Sequence, residues 1–449
     1  MPENRLPAVL MGCRNFSYVS GILAAPQAHP EHLLPATLVS GNLNQNLMVN
    51  MRRSVPSIPT GRLTALPNLF RQSLRDLLPR SQQRSSPEKH LLAAINWLKR
   101  AQDATDDGGV SSRFSLRPGR LGWWSSYRET TGYIVETFFD VAQQLGDDDA
   151  RKRAVAMVEW LVQVQNPDGS ISNPSYGNEG IVFDTGQVLH GLVRAYRELH
   201  QQRFLDAALR AGHWLADTLD DDGAWRRYSH QGHVHTYNTR VAWAMLELDS
   251  ITSDPKIREA AERNLEWALT QEQSGWFDQC AFHPGMAPFT HTIAYAIRGF
   301  LEAAKVLHSD QSRADRYRAV AERSARAVLE HVREDGFIPG QIDIQGKARA
   351  SYCCLTGNCQ LAIIWFQLFQ ITGDPKFLHA GTRSVEYVME TQAIETLNVN
   401  IRGAIKGSHP IWGTFWSSRP RGGYTPLAYP NWATKFFVEA LLLQRKLDT

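Results

Sequence analysis

Residues 151–169, RKRAVAMVEWLVQVQNPDG, followed by residues 185–196, TGQVLHGLVRAY, decide the fold. The first stretch reads as an amphipathic helix with charge on one face, which therefore meets water on that side. Pro167-Asp-Gly169 ends it in a turn. The second stretch is apolar nearly all round, so it predicts a helix buried between other elements. One charged-face helix, one glycine turn and one buried helix make a hairpin.

The hairpin recurs with a period of roughly 50–65 residues. The outer helices are expected at 90–102, 151–165, 203–219, 257–271, 316–332 and 377–392. Turns fall at 107–109, 167–169, 221–223, 274–276 and 334–336, and Arg402–Gly403 is a looser sixth. The buried helices start at or near Thr131, Thr185, Thr239, Thr292, Thr356 and Thr434. A threonine at a helix start predicts a hydroxyl that caps a free backbone N–H. Six outer–inner pairs predict an all-α (α/α)6 toroid over residues 88–449, against an open solenoid of hairpins. In a toroid the inner helices run parallel and their N-termini open on one face. Free N–H groups and the positive dipole ends favour anionic or oxygen-rich ligands there.

Residues 1–87 differ in composition. They hold ten of the 22 prolines, and between Arg52 and Pro87 there are seven arginines against one acid, Asp76. This predicts a poorly ordered Pro/Arg-rich leader, with a short helix near Leu69–Leu78. The net charge of +3 is too small to mark the whole chain as a polyanion binder, so nucleic acid is not an expected partner. No apolar run is long enough for an integral membrane segment. The five cysteines, Cys13, Cys280, Cys353, Cys354 and Cys359, are odd in number and bunched, unlike a disulfide framework. They predict a reducing, cytoplasmic setting.

Polar and aromatic residues gather where each inner helix begins, so they are expected to converge on one cavity. The stretch HTYNTR (235–240) packs His235, Tyr237, Asn238 and Arg240 ahead of a core helix. Asp184 and Gln187 open the second inner helix, His291 the fourth and Asn358 the fifth. Trp123, Trp124, Tyr127, Glu129 and Tyr133 precede or open the first, Tyr295 joins His291 in the fourth, and Trp416, Tyr424, Trp432 and Lys435 belong to the sixth. Aromatic rings stack on sugar faces while amides and charges bond hydroxyls and carboxylates, so this mixture predicts a poly- or oligosaccharide substrate.

The hairpins with glycine turns resemble the six-hairpin carbohydrate-active superfamily. Residues 184–217, DTGQVLHGLVRAYRELHQQRFLDAALRAGHWLAD, also resemble the C-terminal helical domain of D-glucuronyl C5-epimerases. The resemblance implies an enzyme that hydrolyses, eliminates or epimerises a glycan, with uronic-acid glycans first. In a hydrolase, Asp184 is the general acid/base, and Glu129 or Glu179 is its partner. In a proton abstraction, Arg240, Asn238 and His235 neutralise the sugar carboxylate, and Tyr237 or His291 is the base; toroid lyases resemble this in combining such residues. A non-catalytic glycan-binding protein of polysaccharide assembly and a toroid of the terpene cyclase or prenyltransferase kind are the alternatives. Against the cyclase, Asp147–Asp149 and Asp220–Asp222 read as solvated caps. Cysteines 353, 354 and 359 lack metal-ligand spacing, so neither metal nor cofactor is expected.

Overall fold

The computed structural model of the chain describes residues 85–307, 310–413 and 422–448, together with Gln72 and Asp76. All of them lie in one unit, Ser57–Thr449. Among the described residues, six outer helices alternate with six inner ones. The outer set is α1 (Pro87–Asp103), α3 (Asp148–Val164), α5 (Gln202–Thr218), α7 (Pro255–Thr270), α9 (Gln311–Leu329) and α11 (Pro375–Thr391). The inner set is α2 (Arg128–Leu145), α4 (Val182–Leu199), α6 (Thr239–Thr252), α8 (Thr290–Val306), α10 (Leu355–Thr372) and α12 (Asn431–Leu447).

Each inner helix packs on the next, and α12 packs on both α1 and α2, so the ring is closed. The seam is stitched by strand pairing between β1 (Arg113–Ser115) and the final strand (Ala428–Pro430). Beside it, Asn431 Nδ2 donates to the Ser111 carbonyl at 3.0 Å and to Thr130 Oγ1 at 2.9 Å. The fold is the expected (α/α)6 toroid.

The turn glycines have a physical reason. Gly108, Gly169, Gly223, Gly275, Gly336 and Gly403 all have φ between +82° and +93°. A Cβ at Gly169, Gly223, Gly336 or Gly403 would also collide with a carbonyl of a neighbouring outer helix. Arg402–Gly403, the loosest repeat in sequence, is thus a full member. Gln102, Gln165 and Gln392 each donate from Nε2 to the carbonyl of the turn glycine that follows, at 3.0, 2.9 and 2.7 Å.

Three of the six recurrent threonines, Thr131, Thr185 and Thr434, do something other than cap. Thr131 and Thr185 sit a turn inside their helices and donate back to the carbonyls of Tyr127 and Ile181, both at 2.8 Å. The same hydroxyls accept from the N–H of Val110 and Ile171, two residues past the turn glycine; Thr434 accepts likewise from Ile405. The threonine therefore clamps its own hairpin turn to the inner helix.

The leader residues 1–84, Gln72 and Asp76 excepted, lie outside the described residues. Gln72 and Asp76 are helical and packed on the toroid. Asp76 accepts from Lys406 Nζ at 2.5 Å and from the Ile411 N–H at 2.8 Å. Tyr429 Oη donates to Gln72 Oε1 at 3.0 Å. Among the described residues no helix is long and apolar enough to cross a membrane.

Candidate active site

The parallel inner helices bring their first residues to one face, where a cavity of about 190 Å³ opens. Glu129, the second residue of α2, and Asp184, the third of α4, both line it. Tyr237, in the 3-10 turn ahead of α6, and His291, the second residue of α8, line it as well. Rings enclose these groups. Phe183 meets Tyr237 edge-on at 5.2 Å, His291 lies 4.9 Å from Tyr424, and Tyr127 is 6.4 Å from Trp432. Arg113, on β1, lines the cavity with its guanidinium 4.7 Å from the Trp124 ring and 5.4 Å from that of Trp432. It has no carboxylate partner among the described residues, and its Nε is buried without a hydrogen bond.

Burial governs the two carboxyls. Asp184 is 4% exposed and its Oδ2 has no hydrogen-bond partner. Desolvation, then the charge of Glu129, hold its pKa well above the usual carboxylate range, against Arg128. Glu129 is pushed up to about 7 by burial, against the Tyr127 hydroxyl, Arg240 and Arg113. Helix N-termini favour anions, yet desolvation wins at both positions. Two acids that share a cavity do not ionise together readily. Glu129 has the more cations near it and Asp184 is the drier, so Asp184 holds its proton to higher pH than Glu129 does. His291 is pushed down to about 3 by burial and is neutral; its Nδ1 lies 3.1 Å from Gln360 Oε1. Burial, with Cys280 and both acids, raises the Tyr237 phenol well above its ordinary value.

Nine of the residues expected from sequence line the cavity: Asp184, Tyr237, His291, Tyr127, Glu129, Tyr133, Tyr295, Tyr424 and Trp432. Glu179 is exposed, so Glu129 is the acid that joins Asp184. His235 is not among the lining residues; both ring nitrogens face backbone carbonyls, Ala281 at 3.1 Å and His230 at 2.9 Å, so it ties two rim loops together. Trp123 packs on Trp97 and Phe114, and Trp124 backs Arg113. Asn358 binds the Gly336 carbonyl at 2.9 Å and accepts from the Cys353 thiol at 3.0 Å. Asn238 is buried ahead of α6, away from the lining. Trp416 lies outside the described residues.

Arg240, Gln187 and Lys435 lie between the rim and a buried charged layer within the ring. Glu136, His190, Arg298 and Glu439 each stand eight residues into their inner helices, about 12 Å below the rim at 1.5 Å per residue. Glu439 bridges Arg298 and Lys435, both at 2.5 Å. Arg240 Nε donates to Gln187 Oε1 at 2.6 Å, and its guanidinium lies 5.0–5.8 Å from the rings of Trp243, Tyr295, Tyr133 and Phe436.

Sequence reasoning missed Arg113, Phe183, His230, Phe282 and Thr425, all of which line the cavity. Arg113 is one of several arginines between 113 and 128, and only strand pairing across the ring seam selects it. Among the described residues no three His, Cys, Asp or Glu side chains are grouped to hold a metal ion.

Known proteins share this architecture. A family model described as β-L-arabinofuranosidase, GH127 catalytic domain, matches residues 122–331. The match contains Glu129, Asp184, Tyr237 and His291; Arg113, Tyr424 and Trp432 fall outside it. No curated protein matches the chain. Among solved structures, an unsaturated glucuronyl hydrolase specific for heparin aligns at TM-score 0.63 and 16% identity, over 81% of this chain and 97% of that one. The unsaturated glucuronyl hydrolase of Bacillus sp. GL1 aligns at 0.61 and 17%, over 80% and 96%. A cellobiose 2-epimerase from Bacillus thermoamylovorans aligns at 0.57 and 14%, over 84% and 99%. At such identities the structural likeness shows the toroid fold. Together with the family match it supports a carbohydrate-active enzyme.

Proposed function

We propose that this chain is a glycoside hydrolase that removes one terminal sugar residue, with Asp184 as general acid and Glu129 as general base. The observation that carries this reading is a pair of carboxyls, Asp184 buried and Glu129 half-buried, that line one small cavity and are both held above the ordinary carboxylate range. Such a pair can divide acid and base roles at neutral pH. Asp184 passes its proton to the glycosidic oxygen as the bond to the anomeric carbon breaks. Glu129 takes a proton from the water that attacks that carbon. A cavity of about 190 Å³ is small beside the roughly 300–1,000 Å³ of ordinary ligand pockets, which suits a single ring.

Proton abstraction from a uronate has less support. A phenol held above its ordinary pKa is a poor base at neutral pH, as is an imidazole held near 3. Arg240, the expected carboxylate receptor, is wholly buried among rings. Arg113 takes that role instead: a desolvated guanidinium that lines the cavity with no carboxylate partner suits a uronic-acid carboxylate. The uronic preference therefore rests on Arg113.

The test is turnover of a panel of glycosides by the full chain: glucuronides, unsaturated glucuronides, β-L-arabinofuranosides and neutral pyranosides. Release of reducing ends that disappears in Asp184→Asn supports hydrolysis. An unsaturated product, or deuterium entering at C5, would instead favour proton abstraction.

A further inference from the structure

A second cavity of about 840 Å³ lies on the same rim, between the fourth and fifth hairpins. It is more than four times the size of the carboxyl-bearing one. The two share a wall. Phe282 lines the small cavity while its neighbours Ala281 and His283 line the large one. Across from them, Gly422 lines the large cavity and Tyr424 the small one.

The large cleft is a built feature. The Thr290 N–H, which opens α8 beside His291, bonds the Gly340 carbonyl at 3.1 Å, and the Gly340 N–H bonds the Tyr352 carbonyl at 2.7 Å. Gln341 Nε2 donates to the Ala287 carbonyl at 2.8 Å and its Oε1 accepts from Tyr352 Oη at 3.1 Å. The cleft walls are thus bonded to the helix start that carries His291.

Its charges are nearly balanced. Asp343 and Arg349 form an ion pair at 2.5 Å and cancel. Apart from His233 and His283, Asp278 is the one remaining ionisable acid or base of full charge along the described lining. Along the described lining a polyanionic chain would find no unpaired Lys or Arg, whereas hydroxyls would find amide, carboxylate and imidazole partners.

We infer that this cleft binds the chain that continues from the sugar held between Asp184 and Glu129, and that this chain is a neutral, hydroxyl-rich oligosaccharide. The inference rests on the hydrolase reading for the position of the scissile bond, though not for binding in the cleft. The substrate is then a neutral glycan carrying a terminal residue that fits the small cavity.

The experiment uses the full chain and two sets of oligosaccharides of two to six residues. Both sets carry the terminal sugar that the glycoside panel identifies; one is neutral at every internal residue, and the other carries a sulfate or uronate on each of them. The aryl glycoside of the terminal sugar is the reference. We expect kcat/KM to rise about ten-fold between two and four residues in the neutral set, a 1.4 kcal/mol effect, and not in the anionic set. His283→Ala and Arg349→Ala should erase that gain while the aryl glycoside is turned over as before. No dependence on length, a gain that survives both variants, or a preference for the anionic set overturns the inference. If no glycoside is turned over, the hydrolase reading fails and calorimetry decides the cleft. Neutral oligosaccharides that bind the unaltered chain and not the two variants uphold it; absence of binding, or binding unaffected by the variants, overturns it.

Discussion

Two layers of this ring bury charge, and they do it differently. In the layer about two turns below the rim, cations meet anions: Glu439 bridges Arg298 and Lys435, and Arg298 also reaches Glu302 at 3.3 Å. At the rim, Glu129 and Asp184 line one cavity, and neither forms an ion pair among the described residues. Arg298 and Lys435 hold the Glu439 carboxyl below its ordinary range despite burial. Burial holds the rim carboxyls above it. A buried charge with partners serves the fold, whereas buried acids without them store free energy that chemistry can use. Arg240 stands between the layers, bonded to Gln187 and caged by rings, and its charge helps restrain the rise at Glu129.

The comparison breaks first at the rim. Asp184→Asn and Glu129→Gln should each lower kcat by about 10²–10⁴-fold, measured on whichever glycoside the panel identifies. Loss confined to KM would return these acids to the role of helix-start ligands. Almost as large is the expected effect below. Glu439→Gln leaves two buried cations short of their partner and should destabilise the fold by about 3–5 kcal/mol in denaturant unfolding. An unchanged midpoint would show that the lower layer is slack.

The pH dependence of stability sharpens the contrast, because the signs oppose. Glu129 has a folded pKa raised to about 7, so its contribution is present below the unfolded value and is lost as pH rises through 7. Glu439 has a lowered folded pKa, so its contribution is present above the unfolded value, about 4.3, and is lost as pH falls through the folded one. In thermal melts across pH, Glu129→Gln should flatten the fall between about pH 4.3 and 7, and Glu439→Gln the fall below about pH 4.3. If one variant flattens both limbs, the layers are not separate. Arg113→Met comes next: about 10-fold or more lost in kcat/KM on uronides, near 1.4 kcal/mol, with neutral glycosides changed little. The smallest effect is assigned to His235→Asn, which loosens a loop staple and should leave kcat within a few-fold.

Much of this was legible in the chain. The glycine turns announced themselves because a positive φ leaves few other residues possible, and Gly403 obeyed the rule even where the repeat looked weakest. Asp184, Glu129, Tyr237 and His291 were legible because helix starts in a toroid meet on one face. Arg240 and Lys435 misled because sequence places a residue on a helix without saying which way a long side chain runs. Lys435 turns toward the Glu439 carboxylate, and Arg240 toward the Gln187 amide and a cage of rings. Thr131, Thr185 and Thr434 misled for a related reason: proximity to a helix start suggested a cap, while the hydroxyls sit a turn inside and reach another segment.

The sequence by itself determined the hairpin, its six-fold repetition and the face on which the polar residues gather. Those follow from local periodicity and from glycine's access to positive φ, which any short window carries. The tertiary structure alone decided closure of the ring, the choice of Glu129 over Glu179 as the partner of Asp184, and the arrival of Arg113 between Trp124 and Trp432. Each depends on contacts between segments 50 to more than 300 residues apart, and desolvation, which sets the acids' protonation, exists only once those segments have met.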